Sequence, residues 1–300
     1  MISPSSFGFV ADFLLRETAM VCEPGKEYLV EARLLPLARA AGVADVDRYV
    51  DLLRTDAVER GRAADALTIN ETSWFRDLAP YQAFTDVLLP QLLAARQDRR
   101  HLEIWSAACS SGQEAYSIAM LLDESLPPGW TYRIHATDVS PTMLERVRAG
   151  RYSQVEMNRG MPANRLVKYF TRVGREWEVS ADLRRTITTE KINLAAPLPG
   201  IGLYDFVLLR NVLIYFDVDV KRDILRRFRA RVAPDGFLML GSTETTLDLD
   251  DTWIREAAGR AWVHRPRQPA GVRPATGTAT ATSPATPSTS HPTRLTTTGA

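Results

Sequence analysis

Apolar residues recur at helical spacing through the first part of the chain. Between residues 7 and 65, two such runs lie at 29–37 and 49–53 and are separated by glycine-containing stretches. Side chains three or four positions apart share one face of an α-helix, so each run can bury one side. The pattern predicts a helical N-terminal domain over residues 1–66.

A bridge of different character covers residues 67–100. Its first part, TINETSWFR at 68–76, is too polar and too rich in β-branched residues for a buried helix. Apolar side chains return at helical spacing between Pro80 and Ala95, which predicts an amphipathic helix there. We interpret residues 67–100 as a linker to the domain that follows.

From residue 101 to residue 264, short apolar runs alternate with helical patterns. Such alternation predicts an α/β domain with a mostly parallel sheet and helices on both faces. In chain order, the predicted strands and helices are 101–109, 112–122, 132–138, a helix from Ser140, 204–211, 218–232 and 236–242. Ser110 or Ser111 is available as the N-cap of the first helix, and Ser140 with Pro141 is a start signal for the second.

Two stretches depart from this alternation. Residues 150–185 are interpreted as a small α/β insertion, with a short helix near Pro162–Phe170 and a hairpin around Gly174. Residues 265–300 contain ten threonines and six prolines but almost no bulky apolar side chain. Such a composition buries too little surface to offset the entropy lost on ordering, so we expect a disordered tail.

The charge balance supports this division. The chain has 37 basic and 36 acidic residues, a formal charge of +1. Residues 265–300 hold four arginines and no acid, which leaves 33 basic and 36 acidic residues, a charge of −3, in residues 1–264. A mildly acidic body argues against a chain-wide nucleic-acid or anionic-membrane surface, although it allows a local basic face.

Other classes are excluded by simple features. The sequence has no run of about 18 apolar residues, and its first residues lack the basic leader of a secretory signal. Cys22 and Cys109 are too few for a disulfide framework or a four-ligand zinc site. We therefore expect a cytoplasmic protein without a metal site.

Polar residues follow three predicted strands, at the edge where open α/β sheets bind ligands. Glu114 comes after the first strand, Asp138 ends the second, and Arg210 and Asn211 interrupt the third. An acid at the end of the second strand is placed to accept hydrogen bonds from both hydroxyls of a ribose. If Arg210 is buried, it needs polar partners. Tyr215 lies four positions after Asn211 in the sequence. These positions predict a nucleoside pocket.

Several of these positions also have a purely structural interpretation. Glu114 can complement the dipole of its helix, Asp138 can start the turn before Ser140, and Tyr215 can pack in the core. Neither a P-loop nor a dinucleotide G-x-G-x-x-G motif is present. No Ser–His–Asp constellation or metal-ligand spacing is legible, so the residues alone leave the chemistry open.

Five segments carry a family resemblance. They are TINETSWFR at 68–76, IWSAACSSGQEAYSIAM at 104–120, ATDVSPTMLERVRAGRY at 136–152, INL at 192–194 and LLRNVLIYFD at 208–217. In order and spacing they resemble the CheR-type chemotaxis-receptor methyltransferases. The resemblance implies a Rossmann-like, S-adenosylmethionine-dependent methyltransferase sheet with a helical N-terminal domain and a small inserted subdomain. It also implies methyl transfer to glutamate side chains on the cytoplasmic helical bundle of chemoreceptors.

The resemblance further implies which residues bind the cofactor. They are Asn70, Thr72, Arg76, Glu114, Asp138, Asn193, Leu194, Arg210 and Asn211. Asp138 would hold the ribose and Glu114 would meet the methionine end, while Asn193 and Leu194 would contact the adenine. Residues 67–100 would then include a segment that covers the cofactor.

The implied catalytic residues are Arg76, Arg210 and Tyr215. A guanidinium matches a carboxylate with two parallel hydrogen bonds, so we predict that Arg76 orients the acceptor glutamate. Tyr215 is expected to border the methyl group and exclude water. A glutamate has an ordinary pKa near ~4.3 and is an anion at neutral pH, so no general base is required.

Departures from the family pattern leave questions open. Gln113 replaces a family acid and Ala115 replaces the usual proline, which allows a catalytically silent scaffold that only binds S-adenosylmethionine. The insertion lacks a glycine-rich hairpin loop, which argues against tethering of a receptor's C-terminal pentapeptide. The N-terminal domain has eight basic and eleven acidic residues, which favours a solvated mixed surface over a docking patch formed by Arg33, Arg39, Arg48 and Arg54.

The other alternative is methylation of nucleic acid. Residues 221–231, KRDILRRFRAR, hold six basic residues and one acid. We favour a surface helix with a solvated basic side and expect no nucleic-acid partner. The expected protein is a monomer that does not insert into the membrane and is recruited to membrane receptor arrays.

Overall fold

In the computed structural model, which describes residues 2–200 and 202–268, four helices form the N-terminal part of the chain. They are α1 (Pro4–Thr18), α2 (Glu27–Ala40), α3 (Val46–Leu53) and α4 (Ala57–Leu67). Side-chain oxygens of Ser3, Asp45 and Asp56 cap the first turns of α1, α3 and α4. Their apolar faces meet in a shared core around Leu34 and Tyr49.

The bridge is anchored by aromatic side chains. Trp74 is buried, and its ring centroid lies 4.8 Å from that of Tyr152 and 5.4 Å from that of Phe170. A continuous helical stretch follows, made of α5 (Ala79–Ala83), a π-helical turn (Phe84–Leu88) and α6 (Leu89–Ala95). The predicted amphipathic helix is confirmed, with a π-turn at its centre.

A seven-stranded sheet forms the centre of the second part. Its strands are β1 (His101–Ala107), β2 (Thr131–Asp138), β6 (Ile187–Lys191), β7 (Tyr204–Leu209), β8 (Val232–Leu240), β9 (Trp253–Ala258) and β10 (Ala261–Pro266). The order is β6-β2-β1-β7-β8-β10-β9, with β10 antiparallel to both of its neighbours and the other pairs parallel. The predicted mostly parallel, Rossmann-like sheet is confirmed, whereas β6, β9 and β10 were not predicted.

The helices of this part are α7 (Gln113–Ser125), α8 (Pro141–Ala149), α11 (Ala181–Arg185) and α12 (Val218–Arg229). Ser140 caps α8 as predicted, since its side chain accepts a hydrogen bond from the backbone of Met143. The N-cap of α7, however, is Gly112 with φ 96°, so the prediction of Ser110 or Ser111 is wrong. Those two hydroxyls bond instead to the Asn70 carbonyl and the Gln113 side chain.

The predicted insertion contains its own small sheet. Its elements are β3 (Arg151–Ser153), α9 (Gln154–Met157), α10 (Ala163–Tyr169), β4 (Phe170–Val173) and β5 (Glu176–Val179), with strand order β3-β5-β4. The turn of the β4–β5 hairpin contains Gly174 at φ 61°, a backbone conformation that favours glycine. The short helix and the hairpin are thus both confirmed.

The end of the sheet refines the boundary expected at residue 265. Strand β10 includes Arg265 and Pro266, two residues that the composition assigns to the tail. The rest of the predicted disordered tail, from residue 269 to residue 300, lies outside the described residues. Within the described part of the chain, no helix is both long and apolar enough to span a membrane.

Candidate functional site

A cavity lies beyond the carboxyl ends of β1, β2 and β7. Strand β1 is flanked by β2 on one side and β7 on the other, so the strand order reverses here, as at the ligand-binding crevice of other open α/β sheets. The bridge segment 68–76 and the turn after β1 contribute to its walls. Eight predicted site residues line it, namely Asn70, Thr72, Arg76, Glu114, Asp138, Arg210, Asn211 and Tyr215.

The turn after β1 bends the backbone sharply beside this cavity. Ala108, Ser110 and Gly112 have φ values of 56°, 50° and 96°. Non-glycine residues rarely adopt this left-handed region, and such strain persists only where the surroundings impose it. The backbone N–H of Cys109 donates to the Thr137 carbonyl at 2.9 Å, which ties the turn to β2. The small side chains of this turn let a ligand approach the main chain closely.

Asp138 lies at the centre of one wall. Its Oδ2 accepts the backbone N–H of Ser110 at 2.8 Å, and its Oδ1 accepts that of Ser140 at 2.9 Å. Burial raises the pKa of this carboxyl, while the two backbone hydrogen bonds oppose the rise. Each carboxylate oxygen can accept a further hydrogen bond. Asp138 therefore both starts the turn and lines the cavity, so the two interpretations of this residue are compatible.

A buried ion pair closes the floor of the cavity. Glu114 accepts from Ser106 Oγ at 2.8 Å and from Arg210 Nη1 at 3.1 Å. Burial raises the pKa of the Glu114 carboxyl, and the Arg210 guanidinium opposes that rise. Arg210 also donates through Nη2 to the carbonyl of Arg76 at 2.9 Å and to the Asp77 carboxylate at 3.1 Å.

These contacts define what Arg210 does in the fold. Its side chain is 1% exposed, and it joins the end of β7 to the start of α7 and to the bridge. A guanidinium with both terminal nitrogens engaged is well placed to hold its neighbours in position. Its assignment as a catalytic residue stays a prediction.

Arg76 and Tyr215 border the cavity from opposite segments. Arg76 donates to the Glu71 carbonyl at 3.1 Å and forms no ion pair with any carboxylate of the described residues. Tyr215 ends a short 3₁₀ turn, and its carbonyl accepts the backbone N–H of Val21 at 3.1 Å. Burial raises the pKa of the Tyr215 hydroxyl, and the nearby Arg76 opposes this. Met20 also lines the cavity, so the N-terminal helices contribute to the site.

Glu244 is a residue that the sequence analysis missed. Its carboxylate accepts backbone N–H groups of Asn211 at 2.7 Å, Val212 at 2.9 Å, Ile214 at 3.4 Å and Gly241 at 2.7 Å. Asn211 has φ 59°, and these bonds hold the loop that leads to Tyr215. The sequence did contain a signal for it, because Glu244 follows the predicted strand 236–242 by two positions. It is therefore another polar residue at the sheet edge where the other strands also end.

We expect Glu244→Gln to loosen this loop. An amide group presents a donor to some of the four N–H groups, and losing hydrogen bonds to a charged acceptor costs about 1.5–3 kcal/mol. Deuterium uptake of residues 210–216, followed by mass spectrometry, should therefore become at least about tenfold faster. The control is Glu256→Gln, which removes a half-buried ion pair with Arg265. Unchanged uptake in Glu244→Gln would show that the carboxylate does not hold the loop.

The structure does not place Asn193 and Leu194 in this cavity. The Asn193 side chain donates to the Glu17 carbonyl at 2.7 Å, which ties it to the end of α1. Leu194 is buried in the core. Asn193 borders an adjacent cavity that shares Thr68 and Val139 with the first one. A contact of this pair with adenine therefore stays a prediction.

The family departures lie behind the cavity. Gln113 is 2% exposed and accepts the Ser111 hydroxyl at 2.8 Å, and Ala115 is fully buried in the core. Neither residue lines the cavity. Both positions therefore belong to the buried part of α7 and not to the polar lining of the cavity.

Comparison with known proteins agrees with this geometry. The SAM-binding domain of the CheR methyltransferases matches residues 70–261, and the all-alpha domain of the same family matches residues 5–68. Chemotaxis protein methyltransferase 1 of Pseudomonas aeruginosa is 39% identical over 248 residues, which cover 80% of this chain and 89% of that protein. A chemotaxis protein methyltransferase of Vibrio parahaemolyticus is 37% identical over 260 residues, covering 83% and 92%. The chain therefore belongs to the CheR family of S-adenosylmethionine-dependent methyltransferases.

Proposed function

We propose that this enzyme methylates glutamate side chains on the cytoplasmic helical bundle of chemoreceptors. The products are glutamate methyl esters and S-adenosylhomocysteine, formed during sensory adaptation by a cytoplasmic monomer recruited to receptor arrays. The observation that carries the proposal is the placement of Arg76, a guanidinium without a carboxylate partner among the described residues, beside the cavity that Asp138 lines. The names of its relatives support a role in chemotaxis.

The lining residues fit S-adenosylmethionine. Asp138 offers two carboxylate oxygens to the ribose hydroxyls, and Asn70 and Asn211 offer amides close by. Glu114 adds a buried carboxylate near the position where the amino-acid end would lie. When bound, this cofactor supplies an electrophilic methyl group on a sulfonium. The protein's own task is to bind the two reactants, orient them and exclude water.

Orientation is the main contribution left to the side chains. The acceptor glutamate is already an anion and attacks without a general base. Arg76 would hold the carboxylate with two parallel hydrogen bonds and aim one oxygen at the methyl group. Tyr215 would border the same space and exclude water. The proposal thus needs no histidine, in agreement with a cavity that no histidine lines.

Replacing these two residues conservatively should slow methyl transfer. We expect Arg76→Lys to lower kcat about tenfold, because an ammonium cannot form the bidentate contact. For Tyr215→Phe we expect a decrease of about fivefold, since the hydroxyl borders the reacting groups. Transfer of tritiated methyl to receptor membranes, with base-labile methanol release, measures carboxyl methylation directly. Calorimetry reports cofactor affinity separately.

Arg133→Lys is a matched control, because Arg133 is exposed on β2 far from its carboxyl end. Near-wild-type turnover in both site variants would refute the assigned roles. Cofactor binding by the wild-type enzyme without any ester formation would instead favour the silent scaffold. A panel of receptors in the same assay would identify the modified receptor and its target glutamates.

The basic surfaces noted in the sequence are largely engaged within the protein. On α12, Asp219 pairs with Arg222, and Asp223 pairs with Arg226 and Arg227. These contacts support the interpretation of α12 as a solvated surface helix and give no reason to propose a nucleic-acid substrate.

The possible docking patch of the N-terminal domain is also weakened. Arg33 donates to the carbonyls of Leu67 and Thr68, both at 2.8 Å, at the end of α4. A guanidinium committed to these carbonyls is less available to an acidic partner. We therefore do not base receptor recognition on this patch.

A further inference from the structure

A second cavity adjoins the methyltransferase site. It lies where β8 ends and β10 begins, and it is lined in part by Glu244, Arg255, Arg260, Trp262 and His264. Glu244 connects the two cavities, because it lines the second one while its carboxylate accepts the backbone N–H groups of Asn211 and Val212, which line the first. A group bound in this second cavity would therefore lie next to the part of the first cavity that Tyr215 borders, where the acceptor glutamate is proposed to bind.

The second cavity presents two free cations. Arg255 and Arg260 are exposed, and neither forms an ion pair within the described part of the chain. The two acids of the lining are both engaged, Asp77 with Arg210 at 3.1 Å and Glu244 with four backbone N–H groups. On its other side Arg255 borders a groove that contains several aspartates, but none of these pairs with it. The cavity thus favours an anionic ligand.

The arginines are held by the β9–β10 hairpin. Arg255 and His264 are directly opposite each other in the pair of strands, so their side chains share one face. The guanidinium of Arg255 lies 4.0 Å from the ring centroid of Trp262, a cation–π contact that restricts its position. Arg260 follows Gly259, which has φ 58° in the hairpin turn. An arginine stacked on a ring of a short hairpin is held more rigidly than an arginine that extends freely from the surface.

An unsatisfied imidazole lines the same cavity. His264 is 1% exposed, the backbone of Leu238 lies near its ring, and at least one ring nitrogen has no hydrogen-bond partner among the described residues. Burial lowers the pKa of His264 to about 4, so the ring is neutral at pH 7 and can donate one hydrogen bond and accept another. Buried polar groups are normally satisfied, so an unpaired one beside a cavity indicates a polar ligand.

We propose that Arg255, Arg260 and Trp262 form an acceptor-side subsite for a second carboxylate of the protein substrate. On an α-helix, residues three, four or seven positions apart lie on one face, so an acid near the target glutamate can reach an adjoining cavity. Guanidinium groups bind carboxylates through charge-assisted hydrogen bonds. The subsite rests on the proposed function and adds a determinant of which glutamates are chosen.

The test compares Arg255→Ala/Arg260→Ala with wild-type enzyme and with Arg133→Ala, a control for loss of exposed positive charge. Methyl transfer to a soluble cytoplasmic receptor fragment gives kcat and KM at several salt concentrations. We expect the KM for the fragment to rise about 25-fold in the double variant, since each exposed charge contact accounts for about fivefold. The kcat value and the calorimetric affinity for S-adenosylmethionine should stay within about twofold of wild type. The KM should also lose most of its salt dependence.

A second arm varies the substrate. Helical peptides with one methylatable glutamate and one flanking acid are compared with peptides in which the flanking acid is glutamine. The flanking acid should lower KM for wild-type enzyme but not for the double variant. Equal KM values for wild type and double variant across the salt range would overturn the subsite. The subsite would also be overturned if RNA binding depended on Arg255 and Arg260 while binding of the acidic fragment did not depend on them.

Direct binding of the fragment separates the two proposals. If the wild-type enzyme binds the fragment in an Arg255- and Arg260-dependent manner but forms no methyl ester, the proposed function fails and the subsite stands. If the wild-type enzyme forms methyl esters while the double variant binds the fragment as tightly as wild type does, the subsite fails and the function stands.

Discussion

Replacing Arg210 with methionine should lower the free energy of unfolding by about 3–5 kcal/mol. The change removes the guanidinium that pairs with Glu114 and leaves a buried carboxylate without its counter-charge. It also removes the donor to the Arg76 carbonyl, so the covering segment loses a tie to β7. At about 2–4 °C of melting temperature per kcal/mol, the expected fall is of the order of 6–20 °C.

A double-mutant cycle isolates the charge pair from the other contacts. Glu114→Gln combined with Arg210→Met should recover much of the stability, because no uncompensated charge remains. Urea unfolding without cofactor gives the four free energies that the cycle needs. Arg222→Met is the surface control, since Arg222 pairs with Asp219, both side chains are exposed, and the change should cost less than about 1 kcal/mol. A loss for Arg210→Met no larger than this control would mean that the pair is not structurally important.

Much of the cavity was predictable because its residues obey one simple rule. Asp138, Arg210 and Asn211 are polar residues that end or interrupt apolar strands, and parallel strands all bring their carboxyl ends to one edge of the sheet. The rule needs only the strand pattern, which is strong where strands are buried on both faces. β7, for example, is buried at every position. The family resemblance then added Asn70, Thr72 and Arg76, which lie on a segment without regular structure.

Other features depend on contacts between distant parts of the chain. Glu244 holds a loop more than 30 positions away, and no local pattern shows which N–H groups a carboxylate will accept. Strands β9 and β10 were missed because charged residues such as Arg255 and Glu256 interrupt their apolar pattern. The polar composition of segment 68–76 likewise hides its anchor, since Trp74 packs against rings of the insertion that lie far away in the sequence.

The Gly112 cap shows a limit of a different kind. Serine is a strong N-cap by propensity, but the turn after β1 needs a residue at φ 96° directly before α7. The neighbouring serines then bond elsewhere, and Ser110 links the turn to the bridge through the Asn70 carbonyl. Tertiary geometry thus overrides the local capping preference beside the site.

Asp138→Asn should weaken S-adenosylmethionine binding by about 10- to 150-fold. Both carboxylate oxygens already accept backbone N–H groups, from Ser110 and Ser140, and each is expected to accept a ribose hydroxyl as well. In asparagine one oxygen becomes an NH₂ group that faces an N–H donor, and the site loses charge-assisted hydrogen bonds of about 1.5–3 kcal/mol. Calorimetric titration with the cofactor measures this loss. Asp123→Asn, at the exposed end of α7, is the control.

The pH dependence separates this role from simple misfolding of the turn. Burial raises the pKa of the Asp138 carboxyl above its ordinary value, and protonation places an O–H donor on one oxygen, which weakens the hydrogen bonds that this oxygen accepts. Wild-type affinity should therefore decrease as the pH falls toward that raised pKa, whereas the affinity of Asp138→Asn should not follow the same titration. A variant that binds as tightly as wild type, or a wild-type affinity with no dependence on pH above the ordinary aspartate range, would remove Asp138 from the ribose site. Asp138 would then serve only to hold the turn, through the backbone N–H groups of Ser110 and Ser140.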